Sequence, residues 1–390
     1  KTLSFRAWKQ ELLFRVSQDL FSSFDVDKGT RLLLRTIVDA RYEYSSVLDM
    51  GCGYGPLGLT LKKLRPETEL TMVDRDALAV DYARQNAALN GIDAQIHGSL
   101  GYDDLPLAEY SLIVVNIPGK AGPGVISYLV QEARYYLNPY GVVAVVVVNP
   151  IAGFVRQVLE ASEDVEIVHE TIRSAHTVFH YHFPGPMQER SALSSFDRGI
   201  YDRADITIQR GTVTYTMKTV YGLPEFDSLH YATELLMDAL AGAGIRVGSE
   251  VAFLNPGQGH APVNFCKTFK PEQVSLIDRD LLALRTTRRN LILNGCPEDN
   301  IEVIHRAGFA IDEPVGIIAG VINESEGQRV YLKLLEGAVA GLKTGGLYIA
   351  AGSSTAVTRL ATHVEENKLK AVVRERKKSK GYSSLVLQKM

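Results

Sequence analysis

The residues of this chain that could do chemistry gather around a glycine-rich turn. Residues 47–55 read VLDMGCGYG, which places an acid, Asp49, two positions before the first of three glycines. Glycine has no Cβ, so such a turn lets a ligand approach the backbone closely. The spacing is Gly-x-Gly-x-Gly and not the Gly-x-Gly-x-x-Gly of dinucleotide folds. A carboxylate at Asp49 would repel a pyrophosphate but suits the cationic group of an amino acid.

A second acid and an amide follow at informative distances. Asp74 lies about 20 residues beyond the glycines, where the acid of nucleotide-binding α/β folds accepts hydrogen bonds from a ribose. Asn116 opens the segment Asn-Ile-Pro-Gly at residues 116–119, directly after an apolar run. An amino-acid group and a ribosyl group in one ligand indicate S-adenosylmethionine.

Alternating strand and helix patterns surround these residues. Strands are predicted at residues 46–50, 69–74, 94–97, 111–116 and 141–149, with helices at 77–90 and about 124–137. Such alternation with apolar strands is typical of a parallel sheet covered by helices on both faces. Ligands bind such a sheet beyond the carboxyl ends of its strands, where Asp49, Asp74 and Asn116 fall.

An internal repeat sets the domain organisation. Residues 73–79, VDRDALA, reappear as residues 277–283, IDRDLLA, and a helix-start segment and a glycine turn recur in the same order at nearly the same offset. The chain is therefore predicted to hold two doubly wound α/β domains, residues 1–190 and 191–390. We place the join near residue 190 because residues 183–191 are rich in proline, glycine and polar residues.

The composition is that of an ordinary globular protein, with 390 residues of which 46% are apolar and 22% charged. No apolar run reaches the roughly 20 residues of a membrane-spanning helix, so no membrane association is expected. The three cysteines have unrelated spacings, which argues against a disulfide framework or a zinc site and predicts a cytoplasmic location. The oligomeric state stays open.

Charge is distributed unevenly within a net charge of −3. Residues 1–200 carry 19 Lys and Arg against 24 Asp and Glu, whereas residues 201–390 carry 23 against 21. The last part of the chain includes residues 374–380, RERKKSK. This run could bind phosphates, or it could be a solvated tail or turn.

The motif DMGCGYGPLG at residues 49–58, preceded by LFSSFDVDKGT at residues 20–30, resembles the small-domain class I S-adenosylmethionine-dependent methyltransferase family. That family has a Rossmann-like fold and includes tandem-domain ribosomal RNA guanine-N2 methyltransferases. The resemblance implies that Asp49, Gly51 and Gly53 line the methionine end of S-adenosylmethionine.

By the same resemblance, Asp74 binds the ribose, Ser99 flanks the adenine, and Asn116 opens a catalytic loop beside the cofactor. In the family this loop reads Asn-Pro-Pro followed by an aromatic residue. Asparagine and proline carbonyls accept hydrogens from the amine that is methylated, and the aromatic ring stacks on the base. Asn116 and Pro118 are therefore the predicted catalytic residues, and no metal is expected.

Two departures from the family pattern affect the interpretation. Ile117 and Gly119 replace the first proline and the aromatic residue, so base stacking by this loop is lost. The second half has Asn255 in the place of Asp49, Ala261 in the place of Gly55, and residues 320–323 in the place of the loop. It is interpreted as a degenerate methyltransferase-like domain that holds substrate or partner, or binds cofactor weakly.

The predicted function is methylation of a guanine amino group in ribosomal RNA, with RNA as the partner. The alternatives are methylation of a small molecule or a protein side chain, and a non-catalytic RNA- or protein-binding pseudoenzyme. Two other features are assigned structural roles. Cys52 is taken as a small residue that fits the turn. His176, His180 and His182 would face one side of a strand, and they are assigned to a partly exposed edge strand rather than to a metal site.

Overall fold

The computed structural model describes residues 1–20, 24–106, 108–185 and 190–390, which form two compact units, Lys1–Tyr201 and Asp202–Met390. Residues 186–189 of the stretch predicted to join them lie outside the described residues. The division falls after Tyr201 because the preceding segment binds the first unit. The Ser195 backbone N–H and hydroxyl donate to the two carboxylate oxygens of Asp103 at 2.7 and 2.9 Å.

In its described residues, the first unit consists of a hairpin, a seven-stranded sheet and five α-helices. Its strands are β1 (Thr2–Ala7), β2 (Gln10–Arg15), β3 (Ser46–Met50), β4 (Glu69–Asp74), β5 (Gln95–Gly98), β6 (Tyr110–Asn116), β7 (Leu137–Val148), β8 (Glu166–Ile172) and β9 (His176–His182). Its helices are α1 (Lys28–Ala40), α2 (Pro56–Leu64), α3 (Ala77–Leu89), α4 (Pro123–Gln131) and α5 (Asn149–Glu160).

The sheet of the first unit has the strand order β5-β4-β3-β6-β7-β9-β8. The chain moves outward from β3 to β5 and then returns to β6 beside β3, so a crevice opens between the carboxyl ends of β3 and β6. Strands β3 to β7 are parallel, as predicted, but β9 runs antiparallel to β7 and β8 antiparallel to β9. The prediction of a partly exposed edge strand at His176–His182 is wrong about the edge, because β9 lies between β7 and β8 and is mostly buried.

Local sequence explains where the helices near the crevice begin. The Asp27 side chain caps α1 by accepting from the Thr30 backbone N–H at 3.1 Å. Gly55, with φ +93°, precedes Pro56 at the first turn of α2, where the missing proline N–H needs no partner. Apolar residues pack on both faces of the sheet in two separate clusters. The helices therefore begin at the carboxyl edge of the sheet with their apolar sides buried.

The β1–β2 hairpin, which the sequence analysis did not assign, is bound to α3 by two asparagines. The Asn90 side chain accepts from the Leu13 N–H at 2.9 Å and donates to the Leu13 carbonyl at 2.8 Å. Asn86 forms the same pair of bonds with Arg15 at 2.7 and 3.0 Å, and also donates to the Tyr54 carbonyl at 2.8 Å. One helix thus connects the hairpin to the glycine turn.

The second unit repeats this plan. Its strands are β10 (Asp202–Arg210), β11 (Val213–Val220), β12 (Val251–Leu254), β13 (Val274–Asp278), β14 (Ile301–His305), β15 (Val315–Val321), β16 (Leu342–Ser353), β17 (Ala371–Ser379) and β18 (Tyr382–Lys389). Its helices are α6 (Tyr231–Gly242), α7 (His260–Phe269), α8 (Leu281–Leu293), α9 (Gln328–Gly341) and α10 (Ser354–Glu366).

The sheet of the second unit has the order β14-β13-β12-β15-β16-β18-β17. Each strand has a counterpart at the same position in the sheet of the first unit. Asn290 and Asn294 bind the β10–β11 hairpin through Lys218 and Thr216, as Asn86 and Asn90 bind the first hairpin. The prediction of two doubly wound α/β units is confirmed. Across the described residues, no helix is both long enough and apolar enough to span a membrane.

Candidate functional site

The glycine turn of the first unit lies at the carboxyl end of β3. Its three glycines adopt positive φ angles of +72° at Gly51, +57° at Gly53 and +93° at Gly55. A Cβ on Gly51 or Gly53 would meet no atom within 4 Å, so this side of the turn faces open space. A Cβ on Gly55 would instead lie 2.8 Å from Leu59 and 2.9 Å from Met72. The first two glycines thus leave room for a ligand, and the third permits close packing beneath the turn.

Asp49 lies under the turn rather than in the open space. Its side chain is 1% exposed, and Oδ2 accepts from the Gly58 backbone N–H in the first turns of α2 at 2.8 Å. Burial raises the pKa of Asp49 to about 7, with the Asp74 charge adding to the rise and the Gly58 hydrogen bond opposing it. A cation bound at the turn would favour the charged carboxylate and lower this pKa.

Asp74, the last residue of β4, holds the turn in place. Its Oδ2 accepts from the Gly53 N–H at 2.9 Å and its Oδ1 accepts from the Asp76 N–H at 3.0 Å. Burial raises the pKa of Asp74, against the effect of these two hydrogen bonds. Each carboxylate oxygen keeps a second lone pair, so Asp74 can still accept hydrogen bonds from two hydroxyl groups of a ligand.

Asn116, the last residue of β6, lies one strand away from the glycine turn, since Met50 pairs with Val115. Its Nδ2 donates to Asp27 Oδ2 at 3.2 Å and to Thr30 Oγ1 at 3.1 Å. The carboxamide oxygen therefore points away from Asp27. Asn116 and Pro118, the predicted catalytic pair, lie at the start of a loop. Pro118 is exposed, and its carbonyl accepts from the Ala121 N–H at 3.0 Å.

Ser99 and Cys52 are both buried and have local roles in this structure. The Ser99 hydroxyl donates to the Gly101 carbonyl at 2.6 Å, and its backbone N–H donates to the Asp74 carbonyl at 2.9 Å. Ser99 therefore joins the end of β5 to the end of β4 by its backbone, and its side chain shapes the following turn. Cys52 lies within the glycine turn, where burial raises the pKa of its thiol.

The three histidines predicted to share one side of a strand have separate partners. His180 is buried between the Thr36 and Tyr42 hydroxyls at 3.0 Å each, and burial lowers its pKa to about 3. His182 bonds to Glu166 at 2.9 Å near the surface. His176 lies beside α1, with its ring 3.0 Å from the position that a Cβ on Gly29 would take. Within the described ranges, no three metal-ligating side chains come together.

The glycine turn of the second unit corresponds to that of the first unit in a register that differs by two residues from the predicted one. Positive φ angles occur at Asn255, Gly257 and Gly259. These positions follow the three glycines of the first turn by the same offset that separates Asp74 from Asp278. Asn255 donates its N–H to the Ile277 carbonyl at 3.0 Å, as Gly51 does to Val73 at 2.9 Å. The assignments of Asn255 to the place of Asp49 and of Ala261 to that of Gly55 are therefore wrong.

In the corrected register the second unit lacks the polar residues of the site. Phe253, 1% exposed, occupies the place of Asp49. Val321 occupies the place of Asn116, because the next residues, Ile322 and Ile117, donate to equivalent carbonyls of β16 and β7. The loop assignment to residues 320–323 is wrong by one residue. Asp278 and two of the three glycines, Gly257 and Gly259, are kept in the second unit.

The residues of the first unit fit S-adenosylmethionine as the cofactor. The open side of Gly51 and Gly53 can receive the amino-acid end, with the Asp49 charge directly below. Asp74 lies at the next strand end, where a ribose attached to that group would reach. Thr30 also belongs to the site and was not predicted, although it lies in the segment, residues 20–30, that carried the family resemblance.

Comparison with known families places the first unit within one of them. The family model described as methyltransferase small domain matches residues 11–174. The uncharacterized protein YbxB of Bacillus subtilis is 31% identical over 149 residues, which span 38% of this chain and 74% of that protein.

Other relatives have names that state a reaction. Ribosomal RNA small subunit methyltransferase C of Haemophilus influenzae (strain PittEE) is 34% identical over 131 residues, 33% of this chain and 39% of that protein. The protein of the same name from Pseudomonas putida (strain GB-1) is 41% identical over 103 residues, 26% of this chain and 30% of that protein. The aligned region thus spans less than half the length of these named relatives.

A solved structure resembles the whole chain. It is the T. thermophilus 16S rRNA N2 methyltransferase RsmC in complex with AdoMet and guanosine, with a TM-score of 0.68 and 15% identity. The match covers 100% of this chain and 98% of that one. At this identity the match supports the fold of both units.

Proposed function

Because the chain belongs to the methyltransferase small-domain family, we propose that its first unit methylates a guanine amino group of ribosomal RNA. One observation carries the proposal. The open glycine turn at the end of β3 and the Asn116 amide at the end of β6 lie on neighbouring strands, so a cofactor and an amine can meet between them. The named relatives support RNA as the substrate.

Bound S-adenosylmethionine supplies an activated methyl group for attack by a nucleophile. The chain itself contributes positioning, which lowers the barrier by bringing the reacting atoms into line. The Gly51 and Gly53 backbone leaves space for the amino-acid end, Asp49 contributes a negative charge below it, and Asp74 accepts the ribose hydroxyls. The Asn116 oxygen then accepts a hydrogen from the amine, and the Ile117-Pro118 backbone helps to hold the acceptor.

We infer that the second unit binds no cofactor. Phe253 removes the negative charge that the amino-acid group would need, and Val321 removes the amide that would hold an amine. Asp278 remains, with Oδ1 accepting from the Asp280 N–H at 2.9 Å as Asp74 does from Asp76. Asp74 and Asp278 therefore offer a matched test of which unit binds the cofactor.

The test measures cofactor binding by calorimetry on the full chain. Asp74→Asn should weaken S-adenosylmethionine binding at least tenfold, because an amide offers one acceptor oxygen where the carboxylate offers two. Asp278→Asn, the matched control in the second unit, should leave the affinity unchanged. Equal losses from both variants would contradict the assignment of the cofactor to the first unit, and no binding to the wild type would end the proposal.

The substrate is identified by methyl transfer from labelled cofactor to ribosomal RNA, total protein and a metabolite fraction in parallel. The expected product is N2-methylguanosine in nuclease digests of the RNA. Label in protein or metabolites with unlabelled RNA would overturn the RNA assignment. A substrate other than RNA would have a structural basis, because Gly119 stands where the family has the aromatic residue that stacks on the base. A Cβ at this position would lie 3.0 Å from Val148, so space for a side chain is limited.

We propose that the basic segment of the second unit contacts the RNA backbone. The segment is not a tail or a turn, because residues 371–379 form β17, the outermost strand of the sheet. Arg374, Arg376, Lys377 and Lys378 all lie on this strand, and all four are exposed. Replacing Lys377 and Lys378 by alanine should reduce the slope of log affinity against log salt by about one to two. An unchanged slope would exclude this strand from RNA binding. A cytoplasmic location stays a prediction.

A further inference from the structure

The orientation of the Asn116 amide is determined by residues outside the motif that the sequence analysis singled out. Asn116 Nδ2 has two acceptors, Asp27 Oδ2 at 3.2 Å and Thr30 Oγ1 at 3.1 Å. A carboxylate oxygen accepts hydrogen bonds and has no hydrogen to donate. If the amide were turned over, its oxygen would face the Asp27 oxygen and the two would repel. Asp27 therefore selects one of the two orientations of the amide.

Asp27 is itself held in place by the start of α1. The same oxygen, Oδ2, also accepts the Thr30 backbone N–H at 3.1 Å as the cap of the helix. A Cβ on Gly29 would lie only 2.8 Å from this oxygen, so no larger residue fits beside it without a shift. Thr30 is 5% exposed, and Asp27 and Asn116 are half-buried, which limits competition by water for these hydrogen bonds. A helix start thus fixes an amide on a strand of the sheet.

We propose, on the basis of the methyltransferase function proposed above, that Asp27 and Thr30 are positioning residues that present the Asn116 carboxamide oxygen to the methyl acceptor. An amide oxygen can only accept, so the acceptor must carry hydrogen on its reacting atom. The site then selects an exocyclic amino group over a ring nitrogen of the same base, since ring nitrogens with a free lone pair carry no hydrogen.

The chemistry of transfer agrees with this selection. A hydrogen bond from the amine to Asn116 Oδ1 directs the nitrogen lone pair toward the methyl group. The lone pair forms the new N–C bond while the S–C bond breaks and its electron pair stays on sulfur. The nitrogen then holds one hydrogen too many and releases a proton to water. Asn116 takes no proton, so its role is orientation.

Two substitutions at Asp27 separate orientation from helix capping. Asn and Ser cap helices about as well as Asp. In Asp27→Asn, the cap places the amide oxygen where Oδ2 lies, and that oxygen can still accept from Asn116. In Asp27→Ser, the hydroxyl caps the helix but is too short to reach Asn116. Both variants should therefore melt at the same temperature, while only the second frees the Asn116 amide.

Kinetics on an unmodified 16S rRNA transcript should separate the two variants. Asp27→Ser is expected to lower kcat about 10- to 100-fold, the range for a hydrogen bond to a charged group, and Thr30→Val about 2- to 10-fold, the range for a neutral hydrogen bond. Cofactor affinity should be unchanged in both variants. Asp27→Asn should stay within about threefold of the wild type. Asp280→Ser, the same change at the cap of α8 in the second unit, is the matched control and should have wild-type kcat.

Several results would overturn the inference. These are wild-type kcat in Asp27→Ser, equal loss in the Asn and Ser variants, a loss confined to cofactor affinity, or a methyl group found on a ring nitrogen in nuclease digests of the RNA. A wild type that leaves RNA unmethylated would refute the proposed function instead.

The orientation of the Asn116 amide can be measured by NMR without any activity assay. The Asn116 side-chain NH2 should exchange slowly in the wild type and in Asp27→Asn but fast in Asp27→Ser. Fast exchange in the wild type would refute the positioning role independently of activity.

Discussion

Asp49 should make the first unit less stable as pH rises, and Asp49→Asn should remove that contribution. Burial raises the pKa of Asp49 to about 7, whereas an unfolded chain has an aspartate pKa of about 3.9. The folded state thus holds the proton more tightly than the unfolded state. Stability from this group is fully present below pH ~4 and is lost as pH rises through about 7. A difference of about three pKa units corresponds to about 4 kcal/mol.

The substitution changes two energies of opposite sign. The amide oxygen of the variant can still accept the Gly58 N–H, and the amide carries no charge, so the loss of about 4 kcal/mol at high pH disappears. The NH2 group of the amide adds a buried donor, which costs about 1–3 kcal/mol when it finds no partner. At pH 8 the variant should therefore be more stable than the wild type by about 1–3 kcal/mol. At pH 4 it should be less stable by a similar amount.

Hydrogen exchange in urea, followed on peptides from residues 28–64, reads the stability of the first unit within the full chain. Asp278→Asn is the matched control in the second unit, because burial also raises the pKa of Asp278 to about 7. It should stabilise its own unit at pH 8 without weakening S-adenosylmethionine binding, whereas Asp49→Asn should weaken that binding. A variant-minus-wild-type difference that is equal at pH 4 and pH 8 would refute the reasoning.

Three further results are expected. Gly55→Ala should destabilise the first unit by about 2 kcal/mol or more in urea unfolding, since φ is +93° and the new Cβ would clash with Leu59 and Met72; a neutral effect would contradict the close packing. Asn86→Ala should release the hairpin, seen as loss of exchange protection in residues 2–15 at a cost of about 2–4 kcal/mol. The His180 ring should show no NMR titration between pH 8 and pH 5, because burial lowers its pKa to about 3; a midpoint near 6.5 would contradict its burial.

Much of the fold follows from the sequence because local and global patterns agree. The predicted strands of the first unit correspond to β3 to β7, and the helix at residues 77–90 corresponds to α3. The antiparallel end of the sheet was not predicted, because β9 is nearly as apolar as a parallel strand and its direction depends on its partners. The hairpin was missed because its turn, at Trp8 and Lys9, adopts positive φ without the glycine or asparagine that marks such turns.

The candidate site was only partly predictable for similar reasons. Matching glycines by letter placed Asn255 at the position of an acid, whereas matching by φ places it at that of Gly51, since asparagine tolerates the left-handed region. The capping of α1 by Asp27 is a local interaction, but the contact of Asp27 with Asn116 joins residues 89 positions apart along the chain. Contacts of this kind depend on how the sheet and helix pack, which no local pattern encodes.

The asparagine pairs that bind the hairpins also protect them from aggregation. An exposed strand edge offers unpaired N–H and C=O groups to any other chain with a free edge. Along β2, the outward N–H and carbonyl of Leu13 and Arg15 are already bonded to the amides of Asn90 and Asn86, in the pattern that a neighbouring strand would form. Two side chains of a helix thus complete the ladder and leave these residues closed to strand addition by another molecule.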